Sequence, residues 1–296
     1  MRVLVTGGSG FIGRQLVERL SKTHEVMAPS HADLDLADAD AVQRWFARHA
    51  VDAVVHSAVK PGHRNARDLS SLTDRNLRQF FSLTRCRSEF GRYVVLSSGA
   101  IYGVQGAIPG AREEELGQIV PADEHGFSKY VEARVLEHDG DAVELRPFGV
   151  FGPGEDYAIR FISNACCKAL LRLPITLRRD RRFSYVWVGD LAEVAERALH
   201  DEHSGGLAPG AYNVTPNAPV RLRELAEMVL DLSPSRGSLT VAEEGMGLDY
   251  CGDGRKLRAA MPEWEPTSMS EGVRRLYEWY EVRRDDIDRQ LLKTDR

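Results

Sequence analysis

A histidine and a lysine one helical turn apart are the residues of this sequence best suited to exchange a proton. His125 and Lys129 lie in HGFSKYVEARVLEH, whose periodicity predicts a helix. Residues four apart share one helix face, so the imidazole and the ammonium are expected to be neighbours. An imidazole has a pKa of about 6.5, and a neighbouring ammonium lowers it. We therefore expect His125 to be mostly neutral, which makes it a better base than acid.

A glycine-rich segment near the start of the sequence has the spacing of a phosphate-binding turn. TGGSGFIG lies between a predicted strand and a predicted helix. Glycines at this spacing let the backbone turn tightly and approach a pyrophosphate, which the amides of the helix N-terminus can bind. The sequence therefore predicts a dinucleotide site, and the contacts expected from this segment are Gly7, Ser9, Gly10, Phe11, Ile12 and Gly13.

The second predicted strand, HEVMAPSH, ends without the carboxylate that holds the ribose hydroxyls in NAD-preferring sites. Ser30 and His31, with Arg14 from the first helix, are instead suited to a 2′-phosphate. The acid Asp35 and its neighbour Leu36 follow slightly later, where we expect them to bracket the adenine. The expected cofactor is thus NADP or NAD, and NADP is favoured.

The scaffold that positions these residues follows from alternating patterns. Strand-like runs, namely RVLVTG, HEVMAP, VDAVVHSA, RYVVLSS and AVELRPFGV, alternate with helix-like segments. Such alternation predicts a Rossmann-like α/β fold, a doubly wound parallel sheet with helices on both faces. Beyond residue 152 the pattern loosens, which suggests a smaller, discontinuous α/β domain. We expect residues 1–150 and 185–215 to bind the nucleotide, and residues 151–184 and 216–296 to form the second domain.

The overall composition argues against several classes of protein. The chain is 43% hydrophobic and 28% charged with a net charge of −5, which is typical of a globular protein whose main partner is not nucleic acid. We see neither a secretory signal nor a run of about 18 apolar residues, so the expected compartment is the cytoplasm and no membrane contact is expected. The cysteines lack metal-ligand spacing, so we expect no metal and reduced thiols at Cys86, Cys166, Cys167 and Cys251.

Seven motifs follow one another along nearly the whole chain: TGGSGFIG, VVHSA, NL within DRNLRQFF, VVLSSGAIYG, SKYVEA, LRPFGVFGPGED and YVWVGDLAEV. Together they resemble the extended short-chain dehydrogenase/reductase superfamily, in its nucleotide-sugar epimerase, dehydratase and reductase branch. ADLDLADADAVQRWF particularly resembles the sugar-nucleotide 4-ketoreductases. The resemblance implies an NAD(P)-binding domain, a C-terminal part that binds the nucleotide sugar, and usually a homodimer formed through two long helices per subunit.

The resemblance also implies roles for individual residues. Ser98 matches the serine that hydrogen-bonds the reacting sugar oxygen. Lys129 matches the lysine that binds the nicotinamide ribose and lowers the pKa of a catalytic tyrosine. That tyrosine should stand four residues before the lysine, where this chain has His125. Further cofactor contacts are expected at Ser57, Ala58, Val59 and Asn76.

The exchange of tyrosine for histidine leaves three alternatives open. His125 replaces the tyrosine as proton donor or acceptor, or the chain binds its ligands without redox activity, or another group or a water transfers the proton. Tyr102 and Tyr130 are near in sequence, but Tyr130 projects about 100° further round the helix than Lys129. General acid–base catalysis contributes on the order of 10²–10⁴ in rate, so these alternatives predict very different activities.

Departures from the family motifs narrow the reaction. Dehydratases carry an Asp-Glu pair after the catalytic serine or threonine, where this chain has GAI. The epimerising GDP-fucose synthases have a cysteine at the position of Ala100, and many 4-epimerases have an asparagine at the position of Gly149. Dehydration and 3,5-epimerisation are therefore disfavoured, 4-epimerisation is weakened, and hydride transfer at a sugar carbonyl or carbinol remains.

Candidate substrate contacts come from three parts of the chain. KPGHRN, with His63 and Arg64, follows a predicted strand at the sheet edge where α/β active sites form. In RRDRRFSYVWVGD an arginine is expected to hold a diphosphate through bidentate donors. A third segment, RFISNACCK, begins the part expected to cover the nucleotide sugar. The expected substrate contacts are Lys60, Ser98, Gly99, Asn164 and Arg182.

The sequence thus predicts an NAD(P)-dependent oxidoreductase of the 4-ketoreductase type, acting on a nucleotide-linked sugar in deoxysugar or surface-polysaccharide biosynthesis. A nucleotide-sugar 4-epimerase with recycled NAD is the alternative among enzymes. A redox-inactive protein that binds NAD(P) or a nucleotide sugar is the alternative from another class, and it rests on His125.

Overall fold

The computed structural model describes residues 1–60, 62, 70–216, 218–235 and 237–293. His63 and Arg64, two of the candidate substrate contacts, lie outside the described residues. Across the described ranges, no helix has the length and apolar character needed to cross a membrane. All four cysteines are free and buried, as expected for reduced thiols on packed elements.

Strands and helices alternate through the first two thirds of the chain. The strands are β1 (Arg2–Thr6), β2 (Glu25–Met27), β3 (Ala53–His56), β4 (Arg92–Leu96), β5 (Ile108–Ala111), β6 (Ala142–Pro147), β7 (Gly149–Phe151), β8 (Ile175–Leu177), β9 (Arg182–Phe183), β10 (Tyr185–Trp187), β11 (Gly210–Val214), β12 (Val220–Arg221), β13 (Leu239–Val241) and β14 (Tyr250–Gly252). The helices are α1 (Phe11–Leu20), α2 (Ala39–Phe46), α3 (Leu72–Arg85), α4 (Glu124–Leu136), α5 (Phe161–Leu170), α6 (Val188–Ala198), α7 (Leu222–Leu232), α8 (Arg255–Ala260) and α9 (Met269–Glu281).

A six-stranded parallel sheet forms the centre of the molecule, in the order β11-β6-β4-β3-β1-β2. Strands β3 and β6 are buried at every residue, which is expected of a parallel sheet covered on both faces. One face packs on a core that includes α1 and α6, and the other on a core that includes α2 and α3. The predicted doubly wound Rossmann-like fold is therefore confirmed.

The segment AVELRPFGV, which we expected to be a single strand, divides at Phe148, so that expectation is wrong. Strand β6 belongs to the central sheet, whereas β7 pairs with β10 in a separate two-stranded sheet. The ring of Phe148 packs against the rings of Tyr102 and Tyr250, 6.0 and 5.0 Å away between centroids. This packing takes the chain out of the central sheet next to the cavity described below.

A second hydrophobic core lies among α5, α7 and α9. A four-stranded sheet, in the order β12-β9-β14-β5, stands beside it. Two elements cross the expected domain boundary: β5, from the N-terminal part, pairs with β14, and α8, from the C-terminal part, packs on β11. The proposed division into domains stays a prediction.

Candidate active site

A cavity of about 670 Å³ lies where several strands of the central sheet end. Its walls include Ser57 after β3, Ser98 after β4 and Phe148 after β6. Helix α4 contributes His125 and Lys129 to the same cavity. The volume lies within the range of small-molecule sites, and the carboxyl edge of a parallel sheet is where α/β proteins bind ligands. Further lining residues are Phe11, Ile12, Val59, Arg160, Arg181 and Tyr250.

The glycine turn between β1 and α1 has no room for larger side chains. Gly7 has φ +71°, and a Cβ on it would lie 2.8 Å from the Cα of Ala58. A Cβ on Gly13 would overlap the carbonyl of Gly7. Helix α1 begins directly after Ser9 and Gly10, and no side chain caps its N-terminus. The amides of its first turn are therefore not bonded to a capping side chain. The turn therefore fits a pyrophosphate, which needs close backbone approach and free amides.

The loop after β3 is fastened to its neighbours at both ends. The hydroxyl of Thr6 accepts hydrogen bonds from the amides of Ser57 and Ala58, each 3.2 Å long, and Ser57 Oγ donates to the carbonyl of Thr6 at 2.6 Å. Further along, the buried Asn76 accepts a 2.7 Å bond from the amide of Lys60, whose ammonium donates to the carbonyl of Ser70. These bonds hold the loop against the glycine turn, where cofactor contacts are expected.

The region after β2 differs from the sequence expectation. Ser30 donates a 2.6 Å hydrogen bond to the carboxylate of Asp33, so an acid does stand beside the end of this strand. Arg75, on α3, donates to His31 at 3.2 Å and to Asp35 at 3.0 Å. Sequence analysis missed Arg75 because its contact with this loop spans 40 residues.

Two other residues assigned to the cofactor face elsewhere. Leu36 is buried in the hydrophobic core rather than open to an adenine ring. The guanidinium of Arg14 lies 3.5 Å from the carbonyl of Gly154, in the segment after β7. Arg75 brings a guanidinium to His31, one of the residues expected to contact a 2′-phosphate.

A close approach between two backbones brings Ser98 and His125 to one cavity. Ser98 caps the 3₁₀ helix Gly99–Tyr102, and its Oγ accepts from the amide of Ala100 at 3.1 Å. A Cβ on Gly126 would lie 2.8 Å from the carbonyl oxygen of Ala100. The glycine of HGFSK therefore lets α4 pack directly against the serine turn. A side chain at Gly99 would likewise meet the ring of Phe148 at 2.5 Å.

The imidazole of His125 is neutral near pH 7. Burial lowers its pKa to about 4, and the Lys129 ammonium adds to this effect. Because the pKa lies about three units below pH 7, roughly one molecule in a thousand carries the imidazolium. The expected direction of the shift is confirmed, and the imidazole is a hydrogen-bonding group rather than a cationic acid.

The ammonium of Lys129 is bound by a carboxylate that sequence analysis missed. Its Nζ lies 2.8 Å from Glu132 Oε2, and both side chains are buried. The second oxygen of Glu132 has no partner among the described residues. Burial raises the pKa of this carboxyl, against the opposing effect of Lys129. The i,i+3 spacing of the two residues was the available signal, but it did not reveal that the pair is buried.

Arg182, the expected phosphate ligand, is paired with a carboxylate, whereas its neighbour Arg181 lines the cavity. Arg182 forms a 2.5 Å ion pair with Asp249. Arg181 lies over the ring of Phe183, 4.7 Å from its centroid, at the cavity wall. The amide of Asn164 donates to the carbonyl of Tyr157 at 3.0 Å and so holds the turn before α5. Among the described residues, the arginines that line the cavity are Arg160 and Arg181.

The parallel sheet and the glycine turn are those of a Rossmann-type nucleotide-binding protein. The chain belongs to the NAD dependent epimerase/dehydratase family, whose model matches residues 3–215. It is 26% identical over 253 residues to GDP-6-deoxy-D-mannose reductase from Pseudomonas aeruginosa, covering 78% of this chain and 80% of that one.

Solved structures agree with this assignment. UDP-glucose 4-epimerase from Thermus thermophilus, in complex with NAD, is 26% identical with a TM-score of 0.77, covering 95% of this chain and 99% of that one. GDP-mannoheptose C4 reductase from Campylobacter jejuni, with NADP bound, has a TM-score of 0.79 at 20% identity, covering 95% and 98%. The second likeness shows the fold alone.

Proposed function

We propose that this protein is an NAD(P)-dependent oxidoreductase of the 4-ketoreductase type, which reduces a carbonyl group of a nucleotide-linked sugar in deoxysugar or surface-polysaccharide biosynthesis. One observation carries the proposal. One cavity of about 670 Å³ is lined by the flank of the glycine turn, by the polar residues Ser98 and His125, and by Arg181. The reductase from P. aeruginosa, similar over most of both chains, supports a reduction.

The dinucleotide is proposed to lie along the glycine turn and the loop after β3. When bound in its reduced form it supplies the hydride. NADP is favoured because Arg75 lies beside His31, and a guanidinium binds phosphate well. NAD remains the alternative because Asp33, next to Ser30, is an acceptor for ribose hydroxyls and would repel a 2′-phosphate. Dissociation constants for NADPH and NADH, measured by fluorescence, decide between them.

The chain's own groups are proposed to hold the substrate at both ends. Ser98 Oγ already accepts a bond from Ala100, so its hydrogen can be donated to a carbonyl oxygen. Arg160 and Arg181 bring two positive charges to the cavity, which suits the diphosphate of a nucleotide sugar. These contacts would orient the carbonyl and exclude water from it.

The quaternary state is also part of the proposal. Phe81 on α3 and Phe127 on α4 are 40% and 39% exposed, and the two helices pack on each other. Such apolar side chains suit a homodimer formed through these helices. Light scattering after size exclusion should give the mass of two chains, and Phe81→Glu should give the mass of one.

A redox-inactive binding protein is the second candidate, and one observation favours it. The Lys129 ammonium is bound by Glu132 and the imidazole of His125 is neutral, so neither is arranged as a strong acid. The test is to incubate the protein with NADPH or NADH and a GDP-linked or UDP-linked 4-keto-6-deoxyhexose, and to follow the absorbance of the reduced nicotinamide. Turnover supports the reductase.

Tight NADPH binding without turnover supports the binding protein. Turnover that appears only in the His125→Tyr variant supports it further. Interconversion of UDP-hexoses without net cofactor consumption supports the 4-epimerase alternative. A His125→Phe variant that keeps full activity excludes the imidazole as the proton donor and directs attention to another group in the cavity.

A further inference from the structure

A phenol from the C-terminal part of the chain enters the cavity that Ser98 lines. Tyr250 is the first residue of β14, and its side chain lines the same cavity as Ser98, His125 and Lys129. Its ring lies 5.0 Å from the Phe148 ring between centroids, and a Cβ on Gly99, the residue after Ser98, would meet that same ring at 2.5 Å. Sequence analysis missed this residue because 152 positions separate it from Ser98.

The position of Tyr250 is determined by packing and backbone pairing. A side chain at Gly99 or at Gly252 would collide with the Phe148 ring, so the serine turn and β14 both lie directly against this ring. The carbonyl of Tyr250 accepts a 3.1 Å bond from the amide of Ser184, and β14 pairs with β5 and β9. A site residue held on a paired strand by packed neighbours keeps its geometry.

The other tyrosines near the site are less suited to meet a ligand beside Ser98. Tyr102 is buried, and its hydroxyl is already bonded to Asn213 at 2.8 Å and Arg146 at 3.0 Å. The hydroxyl of Tyr130 faces the Gly117 turn rather than the cavity. Tyr185 also lines the cavity, but its ring packs against Phe183 and Phe151, 4.9 and 5.9 Å away between centroids, and not against Phe148 beside the serine turn.

We propose that the Tyr250 hydroxyl, paired with Ser98, donates the proton of the reaction, replacing the phenol that α4 lacks at His125. The inference rests on the proposed carbonyl reduction. As the carbonyl carbon accepts hydride, its π electrons move to the oxygen, and the oxygen takes the proton of Tyr250. The resulting tyrosinate regains a proton from solvent. The products are a secondary alcohol and the oxidised dinucleotide, and one proton from water balances the reaction.

The electrostatics of the site agree with a donor rather than a base. Burial raises the pKa of Tyr250 to about 12, while the Ser98 side chain and the positive charges of Arg160 and Arg181 oppose the rise. The phenol is therefore neutral at pH 7 and carries the proton that reduction consumes. The neutral His125 can accept a hydrogen bond and relay the returning proton.

The test replaces one atom. Tyr250→Phe keeps the ring between its neighbours and removes only the hydroxyl, so the fold should be preserved. With NADPH and a GDP-linked 4-keto-6-deoxyhexose, kcat should fall by about 10²–10⁴, while KM and the NADPH dissociation constant stay unchanged. The matched control Tyr130→Phe, whose hydroxyl lies outside the cavity, should keep the wild-type kcat. His125→Phe should reduce kcat less than Tyr250→Phe.

A second measurement does not depend on activity. Fluorine NMR of protein labelled with meta-fluorotyrosine should contain a resonance that Tyr250→Phe removes and that Ser98→Ala shifts. An unshifted resonance would overturn the proposed pairing. Wild-type turnover that Tyr250→Phe leaves intact would overturn the inference and leave the proposed function standing. No turnover by the wild-type protein would instead overturn the proposed function, and the donor role with it.

Discussion

Replacing Glu132 by leucine removes the carboxylate bonded to the buried ammonium of Lys129. Lys129 Nζ and Glu132 Oε2 are 2.8 Å apart, and their side chains are 5% and 2% exposed. Breaking such a pair leaves an uncompensated charge in the protein interior, which costs about 3–5 kcal/mol. We expect Glu132→Leu and Lys129→Met each to lower the free energy of unfolding by that amount.

The double variant should recover most of the loss. With both charges gone, the site requires no desolvated ion, and replacing a buried pair by apolar side chains is often neutral or stabilising. Among the described residues, one oxygen of Glu132 already has no partner, so the native pair is not optimally solvated by the protein. Additive substitutions would cost roughly 6–10 kcal/mol together, so the coupling energy between the two should exceed about 3 kcal/mol.

A matched pair on the same helix provides the control. Arg134 and Glu137 have the same i,i+3 spacing and the same 2.8 Å separation, but their side chains are 49% and 40% exposed. Water screens an exposed pair, so its coupling energy should be about 0.2–1 kcal/mol. The comparison therefore measures the effect of burial on the coupling energy at the same sequence spacing and the same distance.

Urea unfolding followed by circular dichroism measures all variants of both cycles. Additive substitutions at Lys129 and Glu132, with a coupling no larger than that of Arg134 and Glu137, would refute the reasoning. NADPH titrations of the same proteins add a functional reading. If Lys129 binds the nicotinamide ribose as the family resemblance implies, then Lys129→Met should weaken NADPH binding beyond what its stability loss explains.

Three further predictions concern the glycines and histidines. Gly126→Ala forces α4 away from Ala100 and should cost about 1–3 kcal/mol in urea unfolding, whereas Gly140→Ala, with open space around it, should change little. Gly13→Ala should weaken NADPH binding measured by fluorescence, and unchanged affinity would contradict the assigned cradle. Folding lowers the pKa of His125 to about 4 and of His56 to about 3, so the unfolded chain binds more protons as pH falls from 7 to 5. The free energy of unfolding should then drop by about 2 kcal/mol per histidine between pH 7 and pH 5. In the His125→Phe variant this drop should be smaller by about 2 kcal/mol.

Local patterns were sufficient for most of the fold. Alternating apolar runs and helical periodicities predicted the strands and helices of the parallel sheet because each element is short and its signal lies within it. AVELRPFGV failed as one strand because its division depends on where the Phe148 ring packs, and that involves Tyr102 and Tyr250. Periodicity contains no information on such contacts.

The residues of the candidate site also divide into those that local sequence predicts and those that depend on long-range packing. Ser98, His125 and Lys129 could be named in advance because a motif and a helix face relate them. Arg75 and Tyr250 could not, because contacts between residues far apart in the sequence bring them to their positions.

The sequence by itself determined the fold class, the glycine turn and the presence of an imidazole where the family resemblance implies a phenol, since all three follow from residue type and local spacing. Only the tertiary structure decided what surrounds that imidazole. Burial, which no local pattern specifies, makes His125 neutral and pairs Lys129 with Glu132. The packing of Phe148 between two glycines brings the side chain of Tyr250, 152 positions away in sequence, into the cavity that Ser98 lines.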